Sequence, residues 1–586
     1  MKQRSTFKIK MPHLLVAAID FGTTYSGCAF SFYDEFKKDP TKSFVKNWID
    51  PNSSMMYCKT STCILFNEEK EFNEFGFAAE AKYLDLMLEN DHHNWYFFRR
   101  FKMVLYEIQS EDQDILIEDE HGNTMPTLTV FSESLRYLKQ SLLDYVNASV
   151  IISMDDIKWV ITVPAIWSDP AKTFMRRAAI QAGIDSDMLT IALEPEAAAL
   201  YVKYLPVERR VNGNDREVLQ AFAPGSKYIV VDAGGGTVDI TAHEVLEDGH
   251  VKELIKSTGG SWGGTKVDEE YMDFLKRLIG EDTTKYIDEN LPSLLFEARR
   301  DFESAKHIIK PNSDKKINVR FPAKIAEIYT TSHPDKDLRA KDIVLTKDKK
   351  QMAVLFKGDK LRLATKDVED FFTQSVKNIT DHLAKLLQQN DGKGISTIIL
   401  VGGYAESQML VQGIKAMFPE INTIIPKEAA WSVLRGAVIF GHDPSMISQR
   451  RSKYTYGVSV NKKFNPLEHD EKYKYEDGGE IRCRNIFSKL LEVDELVTVG
   501  VHQKEKRYRL KSCKDAGNLK LYASTSKCPQ YVDEENCFFI GHILPPGHEF
   551  IPEKYLYVSI YFAETEIFFL THQPASQKNA VCYLGE

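Results

Sequence analysis

YIVVDAGGGTVD, residues 228–239, joins an apolar run typical of a buried strand to a glycine-rich turn. Asp232 stands at the end of the apolar run. Three glycines and a threonine follow it, namely Gly234, Gly235, Gly236 and Thr237. Backbone without side chains can approach phosphate oxygens closely, and a hydroxyl can donate a hydrogen bond to them. The stretch therefore predicts a strand followed by a phosphate-binding turn.

A second stretch, IDFGTTYS at residues 19–26, repeats this design. Asp20 ends an apolar run, Gly22 permits a tight turn, and Thr23 and Thr24 supply amides and hydroxyls. One such turn alone is weak evidence, since glycine-rich hairpins are common and a purely structural role is an equal alternative. Two turns, each led by a strand-terminal aspartate, indicate opposing halves of one phosphate clamp. A hydrated magnesium ion suits this arrangement, because few carboxylates usually hold it together with waters and substrate phosphates.

Other apolar runs also end abruptly in acidic, glycine or proline residues. The segments between them have apolar residues at helical spacing. They are LLVAAID (14–20), WVITVP (159–164), TIALEP (190–195) and TIILVGG (397–403). Buried strands that alternate with helices are typical of an α/β fold with sites at the strand ends. One helix is predicted to begin at Ser168-Asp169-Pro170, a cap followed by proline, and to end at Gly183. No GxxxxGKS/T loop occurs, which argues against a P-loop enzyme.

The pattern changes near residue 445. From Tyr454 onward, short β-type segments are separated by turn-like clusters of Lys, Asp, Gly and Pro, such as YTYGVSV (454–460) and KYLYVSIYF (554–562). This pattern favours a β-sandwich or a related all-β module. We interpret SMISQRRSK (445–453) as a polar linker to it.

The chain has 586 residues and a formal net charge of −9. Since single cores stop growing at roughly 250–300 residues, several domains are expected. The mild acidity argues against nucleic acid as a partner. No apolar stretch approaches the roughly 18 residues of a membrane helix, so no membrane insertion is expected. The eight cysteines include no CxxC pair and are too sparse for a disulfide scaffold, so we expect reduced thiols and a cytoplasmic protein.

A series of blocks from about Val16 to Gly441 resembles the actin, sugar-kinase and 70-kDa heat-shock ATPase superfamily, and within it the heat-shock protein 70 family. The blocks follow the family order: IDFGTTYS (19–26), VPAIWSDPAKTFMRRAAIQAG (163–183), LEPEAAAL (193–200), VDAGGGTVD (231–239), ILVGGYAESQML (399–410) and WSVLRGAVIFG (431–441). The unusual middle region and the divergent adenine contacts make the chain most similar to the atypical 12A/12B branch of that family. The resemblance implies a two-lobed actin-like ATPase domain (12–444), the linker (445–453) and a smaller β-rich substrate-binding-like domain (454–586).

The resemblance also implies roles for individual residues. Asp20 and Asp232 would bind Mg²⁺ through water, and Glu194 and Asp239 would orient or deprotonate the attacking water. In the alternative reading, Glu194 only caps the helix that follows at Pro195. The residues implied to bind ATP or ADP in the two turns and near the nucleoside are Gly22, Thr23, Thr24, Tyr25, Gly234, Gly235, Gly236, Thr237, Gly263, Gly264, Gly402, Gly403 and Tyr404.

Glu303-Ser304-Ala305-Lys306-His307 resembles the family's Glu-x-x-Lys-Arg adenosine helix. Glu303 and Lys306, one helical turn apart, would bond the ribose. His307 stands where an arginine normally stacks on adenine, and an imidazole offers a smaller area and is mostly neutral at pH 7. The alternative is a surface helix carrying ion pairs.

The family's catalytic lysine is expected within WYFFRRFKMVLY (95–106). Arg99, Arg100 and Lys102 are all candidates, and the register between them stays open. An arginine would keep the positive charge, but its fixed fork differs from an ammonium point charge. Alternatively, Arg99 and Arg100 form an exposed basic face.

Two functions from different classes follow. The first is an ATP-binding, chaperone-like protein of the stress response, with slow Mg-dependent ATP hydrolysis and peptide binding by the C-terminal module. The segment 445–453 lacks the leucine-rich run that the family docks onto its ATPase domain. The chain stops at Glu586, so we expect no helical lid. Client proteins and co-chaperones would be the partners. The second is a nucleotide-stabilised scaffold without enzymatic activity. A sugar kinase and an actin-like filament protein are minor alternatives.

Overall fold

The structure, a computed structural model, describes residues 13–108, 115–205, 221–333, 343–347, 350–509, 519–543, 555–573 and 578–583. These residues form a mixed α/β molecule, as the sequence predicts. We call residues 13–205 lobe I, residues 221–442 lobe II and residues 447–583 the C-terminal module. None of the described helices is both long and apolar enough to cross a lipid bilayer.

Lobe I is built on a mixed sheet. Its strands are β1 (Leu15–Phe21), β2 (Tyr25–Phe32), β3 (Phe44–Val45), β4 (Trp48–Ile49), β5 (Met56–Tyr57), β6 (Thr60–Ser61), β7 (Cys63–Phe66), β8 (Phe72–Phe75), β9 (Tyr96–Arg99), β10 (Leu116–Glu118), β11 (Thr124–Pro126), β12 (Ile157–Val163) and β13 (Leu189–Leu193). Its helices are α1 (Tyr33–Lys38), α2 (Phe77–Glu89), α3 (Thr127–Asn147), α4 (Asp169–Gln181) and α5 (Glu194–Tyr204). The central sheet has the order β13-β12-β1-β2-β3, with β6 also paired to β2.

Lobe II contains a second sheet of related topology. The strands of lobe II are β14 (Lys227–Ala233), β15 (Val238–Val245), β16 (Val251–Gly260), β17 (Lys316–Arg320), β18 (Ile343–Lys347), β19 (Lys350–Lys357), β20 (Lys360–Ala364), β21 (Thr397–Val401) and β22 (Asn422–Ile424). The second sheet has the order β22-β21-β14-β15-β16, and β17-β20-β19-β18 form a separate sheet. Its helices are α6 (Thr265–Ile279), α7 (Glu281–Asn290), α8 (Pro292–Lys306), α9 (Ala323–Ser332), α10 (Thr365–Gln388), α11 (Gln408–Met417) and α12 (Ser432–His442). In both lobes an antiparallel hairpin (β1–β2 and β14–β15) continues into parallel strands (β12 and β13, β21 and β22).

Helices α5 and α12 pack against each other between the two sheets. One apolar cluster joins them to β1 and β12 through Val16 and Val160, and another joins them to β14 and β21 through Val230 and Ile399. The sequences of β1, β12, β14 and β21 do not alternate between apolar and polar residues, because both faces of each sheet are covered. The N-terminus of α5, where Glu194 lies, is thereby fixed between the lobes.

Helix α4 begins and ends as the sequence predicts. The Ser168 hydroxyl accepts a hydrogen bond from the amide of Ala171 at 3.3 Å, which satisfies a free donor of the first turn. Pro170 occupies the first turn, where its missing N–H costs nothing. Gly183, two residues after the helix, has a φ of +83°.

In the C-terminal module, all described elements after Met446 are strands, apart from a 3-10 turn at Glu471–Tyr473. The strands are β23 (Ile447–Arg451), β24 (Thr455–Lys463), β25 (Lys474–Asp477), β26 (Glu480–Leu491), β27 (Leu496–Thr498), β28 (His502–Arg509), β29 (Leu519–Ser524), β30 (Cys537–Ile543), β31 (Tyr555–Ala563), β32 (Glu566–Gln573) and β33 (Lys578–Tyr583). Two sheets, β25-β26-β24-β29-β30 and β28-β31-β32-β33, enclose a core that includes Tyr456, Leu521 and Phe569.

The segment interpreted as a polar linker contains β23 instead of a free connection. This strand pairs in parallel with β16 and antiparallel with β27, so it extends the sheet of lobe II into the module. Arg450 is buried there and donates to the buried Glu196 of α5, and its Nη2 lies 2.7 Å from Oε2 of Glu196. The polar side chains of this segment are therefore consistent with a strand, because main-chain pairing and ion pairs hold it in place.

A second contact joins helix α4 to the module. Nε of Arg176 donates to Oε1 of Glu566 at 2.7 Å, and the hydroxyl of Tyr456 donates to Oδ2 of Asp169 at 2.5 Å. Lobe I and the module are thus held together by paired, largely buried polar groups.

Candidate functional site

The two glycine-rich turns meet between the lobes. One joins β1 to β2 and the other joins β14 to β15. They lie so close that a Cβ on Gly235 would collide with Oγ1 of Thr24, and one on Gly236 would lie 2.9 Å from Oγ1 of Thr23. The pair of turns that the sequence singles out is therefore brought together at one place.

Four carboxylates converge beside these turns: Asp20, Glu194, Asp232 and Asp239. Asp232 and Asp239 are opposite each other in the β14–β15 hairpin, and both are buried. Burial, followed by the charges of Glu194, Asp239 and Asp20, raises the pKa of Asp232 well above its usual value. The site thus concentrates negative charge and stabilises any cation that enters it.

Asp239 is held by lobe I although it belongs to lobe II. Its Oδ1 accepts a hydrogen bond from the amide of Ile166 at 2.9 Å. Burial raises the pKa of Asp239, while the hydrogen bonds from Ile166 and Thr237 oppose that rise. The carboxylate is therefore oriented by a loop of the other lobe.

Of the three basic candidates in residues 95–106, Lys102 lies at the carboxylates. It is buried on a 3-10 turn, and its Nζ donates to Oε1 of Glu194 at 2.6 Å. Burial raises the pKa of Glu194 to about 7 in spite of this ammonium. Arg99 instead pairs with Glu120 at 2.7 Å, and Arg100 pairs with Asp268 of lobe II at 3.2 Å.

Lys59 is the residue that sequence reasoning missed. Its Nζ lies 2.6 Å from Oδ2 of Asp20, and Oγ1 of Thr162 donates to Oδ1 of the same carboxylate at 2.8 Å. Burial alone would raise the pKa of Asp20, but Lys59 and the hydrogen bond from Thr162 hold it below its usual value. A single lysine before a two-residue strand gives no signal in the sequence that it reaches this site.

The turn of lobe II is supported by the residues that precede α6. The amides of Gly263, Gly264 and Thr265 donate to the carbonyls of Gly236, Gly234 and Gly235 at 3.1, 3.1 and 2.8 Å, respectively. Five of the predicted site residues thus form one hydrogen-bonded unit of backbone. Its carbonyls are already paired within the protein, as expected where a turn must keep one shape.

Several residues predicted to contact the nucleoside lie near the two turns. Nζ of Lys306 is buried, donating to the Gly264 carbonyl at 3.1 Å and to Oδ1 of Asp268 at 2.7 Å. The charge of Glu303 raises the pKa of Tyr25, which lies in the turn of lobe I. His307 directly follows α8 and is exposed.

The Gly402–Gly403 pair follows β21, and its first residue reaches the carboxylates. Gly402 has a φ of +90°, and a Cβ there would collide with Oδ1 of Asp232. Gly403 is exposed, and the ring of Tyr404 lies 3.6 Å from a Cβ built on Gly264. Gly22 lies in the turn of lobe I, where a Cβ at this position would collide with the carbonyl of Tyr25.

The arrangement combines two glycine-rich turns, two lysines and four carboxylates, of which Glu194, Asp232 and Asp239 have raised pKa values. Such a group can accept a proton near neutral pH, and the lysines can neutralise an anion. Among the described residues, no cluster of three or more His, Cys, Asp or Glu side chains is arranged to hold a metal ion by itself.

Comparison with known proteins agrees with this geometry. The family model described as "Hsp70 protein" matches residues 90–442. Heat shock 70 kDa protein 12A of Homo sapiens is 33% identical over 538 residues, covering 83% of this chain and 78% of that protein. Heat shock 70 kDa protein 12B of Homo sapiens is 30% identical over 539 residues, covering 83% and 77%.

A more distant relative is the chaperone protein DnaK of Burkholderia cenocepacia (strain HI2424). It is 27% identical over 346 residues, which is 57% of this chain and 45% of that protein. The match to the family model spans more than half of the chain, and the 12A relative exceeds 30% identity over most of both proteins. The chain therefore belongs to the Hsp70 family, within the atypical branch of heat shock 70 kDa proteins 12A and 12B.

Proposed function

We propose that this protein binds ATP or ADP between lobes I and II and hydrolyses ATP slowly, as a chaperone-like member of the Hsp70 family. The observation that carries the proposal is the convergence of both glycine-rich turns on four carboxylates, with Lys102 paired to Glu194 at 2.6 Å. Membership of the family supports ATP binding independently of that geometry.

In the proposed reaction, a water attacks the γ-phosphorus in line and the bond to the bridging β–γ oxygen breaks, which yields ADP and phosphate. Glu194 or Asp239 takes a proton from the attacking water. Lys102 neutralises charge that develops on the γ-phosphate. Thr23 and Thr24 of one turn and Thr237 of the other bind the phosphate oxygens.

Magnesium fits this site through Asp232. That carboxylate is buried near three others, and burial followed by their charges raises its pKa, so a divalent cation beside it would favour its ionised form. When bound, magnesium would neutralise phosphate charge, with water and phosphate oxygens completing its ligands. Asp20, the other predicted ligand, is already paired with Lys59.

We further propose that residues 12–444 act as the nucleotide-binding domain and that residues 454–586 bind client or partner proteins, assisted by co-chaperones. Sheet edges and apolar pockets of a β-module can bind an extended peptide through main-chain hydrogen bonds. Paired strands around a core that includes Tyr456, Leu521 and Phe569 support the assignment of a separate role to the module.

Two measurements test the proposed activity. Calorimetric titration with ATP, ADP and GTP should give heat with the adenine nucleotides, and no heat for any of them would contradict binding. In single-turnover hydrolysis, Asp232→Ala should lower the rate. Asp155→Ala is the control, since Asp155 is exposed in a 3-10 turn of lobe I and the rate should not change. Equal rates for Asp232→Ala and the unchanged protein would contradict enzymatic activity.

The second candidate is a scaffold that nucleotide stabilises but that barely hydrolyses it. Lys59 already pairs with Asp20 within the protein, and His307 is exposed. These two features favour a site that binds nucleotide without hydrolysing it. Nucleotide binding together with a single-turnover rate equal to that of Asp232→Ala would support this candidate.

A further inference from the structure

Lys59 reaches Asp20 across an intervening strand. Strand β1 pairs with β2 so that Asp20 is opposite Gly27. Strand β2 pairs with β6 so that Ser26 is opposite Thr60, and one further step in this register sets Gly27 opposite Lys59. Asp20 of β1, Gly27 of β2 and Lys59, which directly precedes β6, therefore lie in a row.

The middle position of this row must be free of a side chain. A Cβ on Gly27 would lie 2.9 Å from Cγ of Lys59 and 3.1 Å from the carbonyl of Cys58. The aliphatic part of Lys59 thus passes directly over Gly27, and its ammonium arrives 2.6 Å from Oδ2 of Asp20. The register and the missing side chain together fix the ion pair.

Both oxygens of Asp20 already have a partner. Nζ of Lys59 donates to one carboxylate oxygen and the Thr162 hydroxyl donates to the other, and the charge of the Lys59 ammonium repels a second cation that approaches this carboxylate. Both partners are well shielded, since the exposed fractions of the Lys59 and Asp20 side chains are 19% and 5%. An ammonium at this place supplies positive charge that a metal ion would otherwise bring to the cleft.

We propose that Lys59 is a built-in counter-cation, which keeps divalent metal from Asp20 and makes nucleotide binding independent of magnesium. This inference rests on the proposed nucleotide site and deepens it. Magnesium remains available to hydrolysis through Asp232, whereas the affinity of the cleft for ATP and ADP no longer requires it.

The first test compares ADP affinity in magnesium with ADP affinity in EDTA, measured by calorimetry on the full chain. For the unchanged protein, the two dissociation constants should agree within about threefold. Lys59→Met should weaken binding in EDTA about tenfold or more, and magnesium should restore it. Lys59→Arg, which keeps a cation, should behave more like the unchanged protein.

The second test needs no nucleotide. Manganese alone, followed by electron paramagnetic resonance, should bind Lys59→Met about tenfold more tightly than the unchanged protein, because Asp20 is then free to act as a ligand. Lys252→Met is the matched control, since Lys252 pairs with Glu244 at 3.0 Å on the sheet of lobe II. Its manganese affinity and magnesium dependence should not change.

Thermal melting of each variant checks that it is folded, and Lys59→Gln replaces Lys59→Met if the latter unfolds. Magnesium dependence that is the same with and without Lys59, or manganese binding that Lys59→Met leaves unchanged, would overturn the inference. If no variant binds nucleotide, the proposed function fails and magnesium independence fails with it. The manganese experiment then decides separately whether Lys59 keeps metal from Asp20.

Discussion

Lys102 and Arg99 are three positions apart in the chain, but the fold gives them different neighbours. Lys102 donates to Glu194, whereas Arg99 pairs with Glu120 and lies over the ring of Phe296. We predict that Lys102→Met lowers the single-turnover rate about a hundredfold or more, because Glu194 loses its cation and the γ-phosphate loses a positive partner.

Arg99→Met is the comparison for that variant. It should change the rate by no more than about threefold, since its partner lies outside the carboxylate group. If the two variants lost the same fraction of the single-turnover rate, the basic residues would act through the overall electrostatic potential of the site and not through individual contacts.

Glu194 makes the proposed hydrolysis depend on pH. Its pKa is raised to about 7, mainly by burial, and only its deprotonated form can take a proton from water. The rate should therefore rise between about pH 6 and pH 8, a range in which an ordinary glutamate would already be fully ionised. Glu194→Gln should remove this rise together with most of the rate. A flat profile in the unchanged protein would instead favour Asp239 as the proton acceptor.

The sequence predicts the site residues whose signals are local. Asp20 and Asp232 each end an apolar run before a glycine-rich turn, so both the strand and the turn can be recognised without the fold. Lys59 could not be predicted, because its contact depends on a register between strands. The choice of Lys102 over its neighbours also required the three-dimensional path of residues 95–106, since three basic side chains there share the same chemistry.

Strand β23 owes its position to a buried ion pair as well as to main-chain pairing. The side chain of Glu196 is fully buried and that of Arg450 is 7% exposed. We predict that Arg450→Met lowers the free energy of unfolding by about 3–5 kcal/mol, because it leaves the Glu196 carboxylate buried without a partner. Urea unfolding followed by circular dichroism measures this loss.

The double variant Arg450→Met/Glu196→Leu should recover most of that stability, since no buried charge remains. Arg320→Met is the control, because the Arg320 side chain is 67% exposed and its contacts with Asp301 and Asp359 are near 4 Å. If the double variant were less stable than Arg450→Met, the pair would not be the reason for the loss.

The same strand explains why the linker interpretation differs from the structure. A polar, arginine-rich segment resembles a solvated connection, since buried strands are usually apolar. Here the arginines are satisfied by carboxylates and carbonyls: Nε of Arg451 donates to the Leu254 carbonyl and its amide donates to Glu253. Those partners are distant in sequence, so composition alone could not reveal them.

The three parts of the molecule are linked through the candidate site. Arg100 of lobe I pairs with Asp268 of lobe II at 3.2 Å. Lys453 of the module donates to the carbonyls of Ile166 and Trp167 at 2.8 and 2.7 Å. The amide of that same Ile166 donates to Asp239. The alternation of strands and helices predicts the α/β class. It does not predict that a lysine side chain of the module donates to the carbonyls of the loop that orients Asp239.

The continuation of the lobe II sheet by β23 limits how the chain can be shortened. A recombinant fragment that stops before Ile447 would leave β16 as an uncovered edge, and open edges of this kind promote self-association. We predict that such a fragment forms larger species during size-exclusion chromatography with light scattering, whereas a fragment extended through Thr498 retains β23 and β27 as a natural cover. A fragment designed to contain lobes I and II should therefore also include strands β23 and β27.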